Sequence, residues 1–324
     1  MKTNANFTQK QAGAQPEGQT EGGGALSILS KQKARPQPFA DAAMNAAFLF
    51  CGLASVVCVA FMTVYMVVSG GAIFAKVGLF QFVLGKAWSP GNSEFGILPM
   101  VLSSILATFG AVLVALPVGV LTAVYLSKVA HDRLAMVLRG FIDLLAGIPS
   151  VIYGLMGALF IVPSIFRLQA AMGIANSGSL LAAIAILAVM ILPTIISVSE
   201  TSIRAVPKQY EEAALALGST RLQCIFRVTL PAAKSGIAAG VVLGTGRAIG
   251  EAMAVMMVAG NAAVMPGLLR PVRLLTAAIP IEWAYSSGMH RDALYGIGLV
   301  LFVFIMAINT LLRLAMKRVG QGNG

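Results

Sequence analysis

Two ionisable residues, Arg247 and Glu251, lie within an apolar segment that runs from residue 236 to 260, far from either end. Burying an ionised side chain in the middle of a bilayer costs several kcal/mol unless the charge is paired or faces water. An arginine guanidinium matches the oxygens of an oxyanion such as phosphate or sulfate. These residue types therefore indicate either an ion pair or an anion contact inside a membrane.

Two roles are open for this pair. On a continuous helix, residues four apart lie on one face, so Arg247 and Glu251 can neutralise each other and stabilise helix packing. Alternatively, Arg247 contacts an anion that crosses the protein. Glu251 would then orient the guanidinium and weaken retention of the anion, because a site that binds too tightly cannot release.

Three glycines share the helical face of the charged pair. At about 100° per residue, Gly236, Gly240 and Gly244 fall with Arg247 and Glu251 in an arc of about 80°. A repeated G-x-x-x-G ridge allows another helix to approach closely. We therefore predict a helix-packing role for the glycines and place the charged residues away from lipid.

The composition requires a membrane to surround these elements. Hydrophobic residues make up 58% of the chain and charged residues 11%, with a mean hydropathy of +0.85, which excludes a soluble domain. A helical crossing takes about 20 apolar residues. The sequence predicts an all-α polytopic protein with about six such segments, at residues 46–68, 97–125, 142–162, 180–198, 236–260 and 293–316.

The distribution of positive charge predicts the orientation. Lys and Arg are concentrated before the first span, after the second and fourth spans, and at the end of the chain. By the positive-inside rule, both termini and the loop around Glu212 are cytoplasmic. This topology accounts for the net charge of +11, so nucleic-acid binding is not expected. We predict a disordered cytoplasmic tail over residues 1–45, a transmembrane domain over 46–318 and a short tail over 319–324.

The loop at 200–234 reads as two short helices joined by a turn. Gly218 is suited to end the first helix in a left-handed conformation, and Ser219 or Thr220 can cap the second. We expect Glu200, which closes the fourth span on the cytoplasmic side, to be solvated, and His290, in an outer loop, to have an ordinary surface role.

This loop resembles the EAA loop of bacterial ABC-importer permeases. The matching residues are Glu212, Ala213, Ala214, Gly218, Leu230 and Pro231, although Val228 stands where the family usually has Ile. The resemblance implies a helix–turn–helix that docks into a separate ATPase subunit. The chain contains no Walker-type glycine loop, metal cluster or nucleophile motif. ATP is therefore expected in the partner, and no cofactor, metal or catalytic residue is expected here.

Further stretches resemble the PstC-type permease of the phosphate-specific transport system. They are LLAGIPSVIYGLMG from Leu144, LGTGRAIGEAMAVMMVAGN from Leu243 and SGMHRDALYGIGLVLFVFIMAIN from Ser287. The resemblance implies the type I importer fold in a bacterial inner membrane. It also implies a heterodimer with a PstA-type permease, an ATPase dimer and a periplasmic phosphate-binding protein, with Arg247 and Glu251 on the phosphate path.

Several alternatives stay open at this point. The solute can be another oxyanion, such as sulfate or molybdate, or a different small solute. The chain can also be the sister PstA-type subunit. An ion-driven secondary transporter and a membrane sensor of phosphate are alternatives from other classes. The docking loop argues against the secondary transporter, and the chain has no output domain that would support a sensor.

Overall fold

The structure, a computed structural model, describes residues 38–173 and 178–321. Within these ranges the chain is mostly helical, and it also contains a two-stranded antiparallel hairpin of β1 (Trp88–Ser89) and β2 (Glu94–Phe95). The helical membrane protein predicted from composition is confirmed. Most of the predicted N-terminal tail lies outside the described residues. The first helix begins at Pro38, which is earlier than residue 46.

The helices before residue 174 include two that continue through a π-helical turn. They are α1 (Pro38–Val77), α2 (Leu79–Leu84), α3 (Leu98–Val124, then π-helical Tyr125–Val129), α4 (Asp132–Gly147), α5 (Ser150–Met156, then π-helical Gly157–Ile161) and α6 (Val162–Ala171).

The helices after residue 177 include the predicted loop helices and the interrupted fifth span. They are α7 (Leu180–Arg204), α8 (Lys208–Ala216), α9 (Arg221–Cys224, then π-helical Ile225–Thr229), α10 (Leu230–Ala232), α11 (Lys234–Ile249), α12 (Met253–Val258), α13 (Leu275–Glu282) and α14 (Gly288–Gln321).

Five helical segments in the described part are long and apolar enough to cross a membrane. They are Ala42–Val77, Leu98–Val129, Ser150–Ala171, Leu180–Arg204 and Gly288–Leu314. A sixth crossing is possible for the pair Arg221–Ala232 and Lys234–Ile249, which is bent by 67°. Five or six crossings agree with the sequence prediction of about six.

Two predicted spans are shifted or interrupted by helix breaks. The third begins at Ser150, because the chain leaves the helix at Ile148 and Pro149, whose extended conformations separate α4 from α5. The fifth is not one continuous helix, since α11 ends at Ile249 and α12 begins at Met253. Gly250, a poor helix former, lies in this break.

The chain divides into two compact units, Met1–Met62 and Thr63–Gly324. In the described part of the first unit, large apolar side chains such as Phe48 and Leu49 are exposed, as expected where lipid is the solvent. In the second unit, α7 is the central helix and packs against α3 and α11. The buried core there contains Leu187, Ile191 and Ile195 of α7.

The glycine ridge on α11 lies against α7 of the same chain. A Cβ atom at Gly236 would lie 2.0 Å from Ser202 Oγ, one at Gly240 3.1 Å from Val198 Cβ, and one at Gly244 3.0 Å from Ile195 Cγ1. Because glycine has no side chain, these three residues allow α7 and α11 to approach each other closely. The ridge is covered within the chain and is not a free surface for a second subunit.

We expect Gly236→Ala to destabilise the protein by about 1 to 3 kcal/mol, because the added methyl group overpacks the α7–α11 contact. Thermal unfolding of the protein in detergent measures this loss. Gly71→Ala is the matched control, since a Cβ atom there meets nothing within 4 Å. Adding Ser202→Gly should restore much of the stability, and failure to do so would argue against steric overlap as the cause.

Candidate functional site

Arg247 is a half-buried cation with no partner in the described part of the chain. It lies in the last turn of α11 and makes no ion pair or side-chain hydrogen bond there. The guanidinium has five N–H donors and no acceptor, and an arginine without a partner inside an apolar segment is unusual. The side chain is therefore available to an anion.

Of the two roles left open for Arg247 and Glu251, the mutual ion pair does not form in the described part of the chain. Because α11 ends at Ile249, the two residues do not share a helical face. Instead, Glu251 Oε1 accepts a hydrogen bond of 2.9 Å from the backbone N–H of Ala254, in the first turn of α12. The backbone oxygen of Glu251 accepts a second hydrogen bond, of 2.7 Å, from Thr276 Oγ1. Glu251 thus stabilises the start of the next helix and leaves Arg247 without an internal counterion.

A second helix break, between α4 and α5, lies beside the first. Tyr153 of α5 donates a hydrogen bond of 2.7 Å to the backbone oxygen of Leu145 across this break. The next residue, Gly154, packs so closely on α12 that a Cβ atom would lie 2.8 Å from Ala254 Cα. Tyr153 is a site residue that sequence reasoning missed. In the sequence, its only indication was the helix break at Gly147 and Pro149 that precedes it.

The loop between α7 and α11 forms the predicted helix–turn–helix. Gly218 ends α8 with φ of +85°, a conformation that favours glycine, and its N–H donates to the oxygen of Leu215 at 3.0 Å. Thr220 caps α9 reciprocally with Gln223, through bonds of 3.3 and 3.0 Å. The loop is therefore ordered by local hydrogen bonds.

The family-motif residues lie mainly on the outside of this loop. Glu212 and Ala213 are exposed and Ala214 is half-buried, while the neighbouring Leu217 is 88% exposed. Leu230 is half-buried and Pro231 exposed, at the start of α10. The bend into α11 follows Pro231 by two residues, at Ala233. Most of the motif residues are therefore accessible at the surface of the loop, and Ala214 and Leu230 are only partly so.

Glu211, the residue before the motif glutamate, faces inward. Its carboxylate pairs with Lys128 at the end of α3 and accepts a hydrogen bond of 3.1 Å from Thr229 Oγ1. Sequence reasoning missed this residue, because its partners lie 83 and 18 positions away. Glu211 thus joins the loop to the body of the protein.

Glu200 is buried and not solvated, contrary to expectation. Its Oε1 accepts from Arg139 Nε at 2.6 Å and from Arg204 Nε at 2.9 Å. Both arginines also donate to the backbone oxygen of Leu126, at 3.4 and 3.3 Å. Two cations compensate the buried carboxylate, as burial of a charge requires.

His290 is partly buried and belongs to a hydrogen-bonded cluster around the buried Glu282, so the ordinary surface role predicted for it is also wrong. Glu282 receives hydrogen bonds from His290 Nε2 at 2.7 Å, from Trp88 Nε1 at 3.1 Å and from Arg273. Arg273 Nε in turn donates to the backbone oxygen of Asn261 at 3.0 Å. Within the described residues, no group of three His, Cys, Asp or Glu side chains is placed to hold a metal ion.

The apolar crossings, the unpaired cation between two helix breaks and the exposed helix–turn–helix define a membrane transport permease. The chain matches the family model described as binding-protein-dependent transport system inner membrane component over residues 115–323. It therefore belongs to this family and is a multi-pass inner-membrane permease subunit of an ABC importer, not a catalytic enzyme. Importers of this kind work with ATPase and periplasmic binding-protein partners.

Curated relatives extend over most of the chain. It is 35% identical over 272 residues to the probable ABC transporter permease protein YqgH of Bacillus subtilis, covering 81% of this chain and 87% of that protein. It is 32% identical over 263 residues to the phosphate transport system permease protein PstC of Pasteurella multocida, covering 76% and 82%. With PstC of Xylella fastidiosa it shares 33% identity over 261 residues, covering 75% and 81%. The predicted resemblance to PstC-type permeases is confirmed.

Solved structures share the fold. A bacterial ABC transporter that imports the acidic polysaccharide alginate matches with a TM-score of 0.60 at 15% identity, over 87% of this chain and 99% of that one. The MetNI methionine ABC transporter in an inward-facing conformation matches with a TM-score of 0.53 at 19% identity, over 68% and 95%. The type I importer permease fold is therefore confirmed.

Proposed function

We propose that this chain is the PstC-type subunit of an ATP-driven importer that carries inorganic phosphate across the inner membrane, with both termini in the cytoplasm. The observation that carries the proposal is Arg247, at the break between α11 and α12, which has no ion-pair partner in the described part of the chain. Its relatives in Pasteurella multocida and Xylella fastidiosa are named phosphate transport permeases, which supports phosphate as the solute.

In this proposal, Arg247 attracts and orients the phosphate through its guanidinium. Two N–H groups of the fork bind two phosphate oxygens, and the partly buried position strengthens the attraction. Glu251, whose carboxylate lies at the start of α12, adds a repulsion that favours release.

The loop of α8, α9 and α10 is proposed to couple this path to ATP. Glu212, Ala213 and Leu217 are exposed and, with the half-buried Ala214, suit a groove in a separate ATPase dimer, which binds the ATP. The loop acts as a lever: closure of the ATPases displaces α8, and the displacement passes through Leu230 and Pro231 to α11. No cofactor is required in this chain.

A PstA-type permease and a periplasmic phosphate-binding protein complete the proposed importer. Because the glycine ridge of α11 is covered by α7, the sister permease must contact another surface. Exposed apolar side chains of α4, such as Phe141 and Leu144, form a surface that suits either the sister permease or lipid. The binding protein delivers phosphate on the outer side, where the Glu282 cluster holds the hairpin, α13 and α14 together.

Uptake of labelled phosphate at low external phosphate, with and without the chain, tests the proposed function. We expect uptake to need the chain and to resist excess sulfate and molybdate. Suppression by either competitor would assign another oxyanion. Uptake that persists without the ATPase would identify an ion-driven transporter, and uptake that does not depend on the chain would contradict phosphate as its solute.

A further inference from the structure

Glu211 is the single carboxylate that joins α8 to two other elements of the fold. Its side chain pairs with Lys128, in the π-helical turn that ends α3. The same oxygen, Oε1, accepts the hydrogen bond of Thr229 Oγ1, in the π-helical turn that leads into α10 and α11. The backbone oxygen of Glu211 lies 3.8 Å from Cys224 Sγ of α9.

The contacts of Glu211 are shielded from water. The side chains of Lys128 and Glu211 are 16% and 22% exposed, and Thr229 is completely buried. An ion pair in such a site is screened less than a surface pair, and loss of one partner leaves the other charge uncompensated. The contacts of Glu211 with Lys128 and Thr229 therefore resist separation when the loop is displaced.

The neighbouring Glu212 has different surroundings. It is exposed and makes none of the ion pairs of the described residues. Consecutive residues of a helix project about 100° apart, so Glu211 and Glu212 lie on different faces of α8. Through Lys128 and Thr229, Glu211 links α8 to the ends of α3 and α9.

We propose that Glu211 is a positioning residue that transmits displacement of α8 to α3 and to α11, the helix that carries Arg247. Its role is to couple, and it contacts neither the solute nor the ATPase. The inference rests on the proposed function, because it assumes an ATPase at the exposed side of α8. It adds a second connection beside Leu230 and Pro231, one that joins the loop directly to α3.

The test uses the complete importer in proteoliposomes and measures labelled phosphate imported per ATP hydrolysed. In Glu211→Gln and Lys128→Met, we expect the ATPase to remain bound and to hydrolyse ATP, while phosphate imported per ATP falls about tenfold. Arg133→Gln is the control, since it removes an exposed cation near Lys128 that lies outside this link. The exchanged pair, Lys128→Glu with Glu211→Lys, should restore most of the ratio.

Three results would overturn the inference. The first is an unchanged ratio of phosphate imported to ATP hydrolysed in both single variants. The second is loss of the ATPase from the single variants, and the third is failure of the exchanged pair to recover the ratio. Loss of the ATPase would place Glu211 in the docking surface or in the loop's stability. A wild-type importer that fails to bind an ATPase or to import phosphate would instead contradict the proposed function itself.

Discussion

Replacing Arg247 by alanine is expected to lower phosphate uptake by about tenfold to a hundredfold, the loss associated with a hydrogen bond to a charged group. The protein itself should remain folded. In the described part of the chain, Arg247 has no internal partner, and Glu251 keeps its hydrogen bond from Ala254 N–H without it. The substitution therefore leaves no buried carboxylate without compensation. Initial uptake rates, together with the amount of assembled importer in the membrane, measure both effects.

Arg247→Lys separates charge from geometry. Lysine keeps the positive charge but cannot offer the planar fork, so we expect uptake to fall while assembly is unaffected. Arg313→Ala, which removes an exposed cation from α14, is the control for a general loss of positive charge. Wild-type uptake by Arg247→Ala would remove Arg247 from the solute path and leave it a structural residue.

Replacing Gly218 by proline is expected to abolish ATPase binding, and transport with it. Gly218 has φ of +85° and donates its N–H to the oxygen of Leu215. Proline has no N–H and requires φ near −65°, so it removes this hydrogen bond and redirects the chain after α8. The relative placement of α8 and α9 is then lost. Co-purification of the ATPase with the membrane subunits measures the effect.

Gly218→Asn is the matched control for this turn. Asparagine adopts the left-handed conformation with less strain than most other residues and keeps the N–H group. It should therefore retain most of the ATPase binding. If Gly218→Pro left both assembly and transport intact, the loop would not be a lever, and the coupling part of the proposed function would have to be abandoned.

Much of the architecture was predictable because its causes are local. A run of about 20 apolar residues crosses a bilayer whatever its neighbours are. The turn at Gly218 and the cap at Thr220 depend on residues within a few positions, so the helix–turn–helix follows from spacing alone. The family relation was likewise visible in the motif from Glu212 to Pro231.

The arrangement within the candidate site was less predictable. An uninterrupted helix would place Glu251 beside Arg247, but α11 ends at Ile249, before Glu251. The carboxylate has a competing partner in the N–H of Ala254, and that hydrogen bond supports a new helix in place of an ion pair. Tyr153 joins this site only because α5 packs on α12.

The sequence by itself determined that this chain spans a membrane, carries a charge within its fifth apolar segment and forms a helix–turn–helix loop. These properties depend on composition and on contacts between near neighbours. Tertiary structure alone decided that Arg247 has no partner among the described residues, that Glu211 and not Glu212 anchors the loop, and that Glu200 and Glu282 are buried and bind several partners. Each of these depends on which distant segments meet. Glu282, for example, receives Trp88 from a segment 194 positions away, a contact that no local pattern encodes.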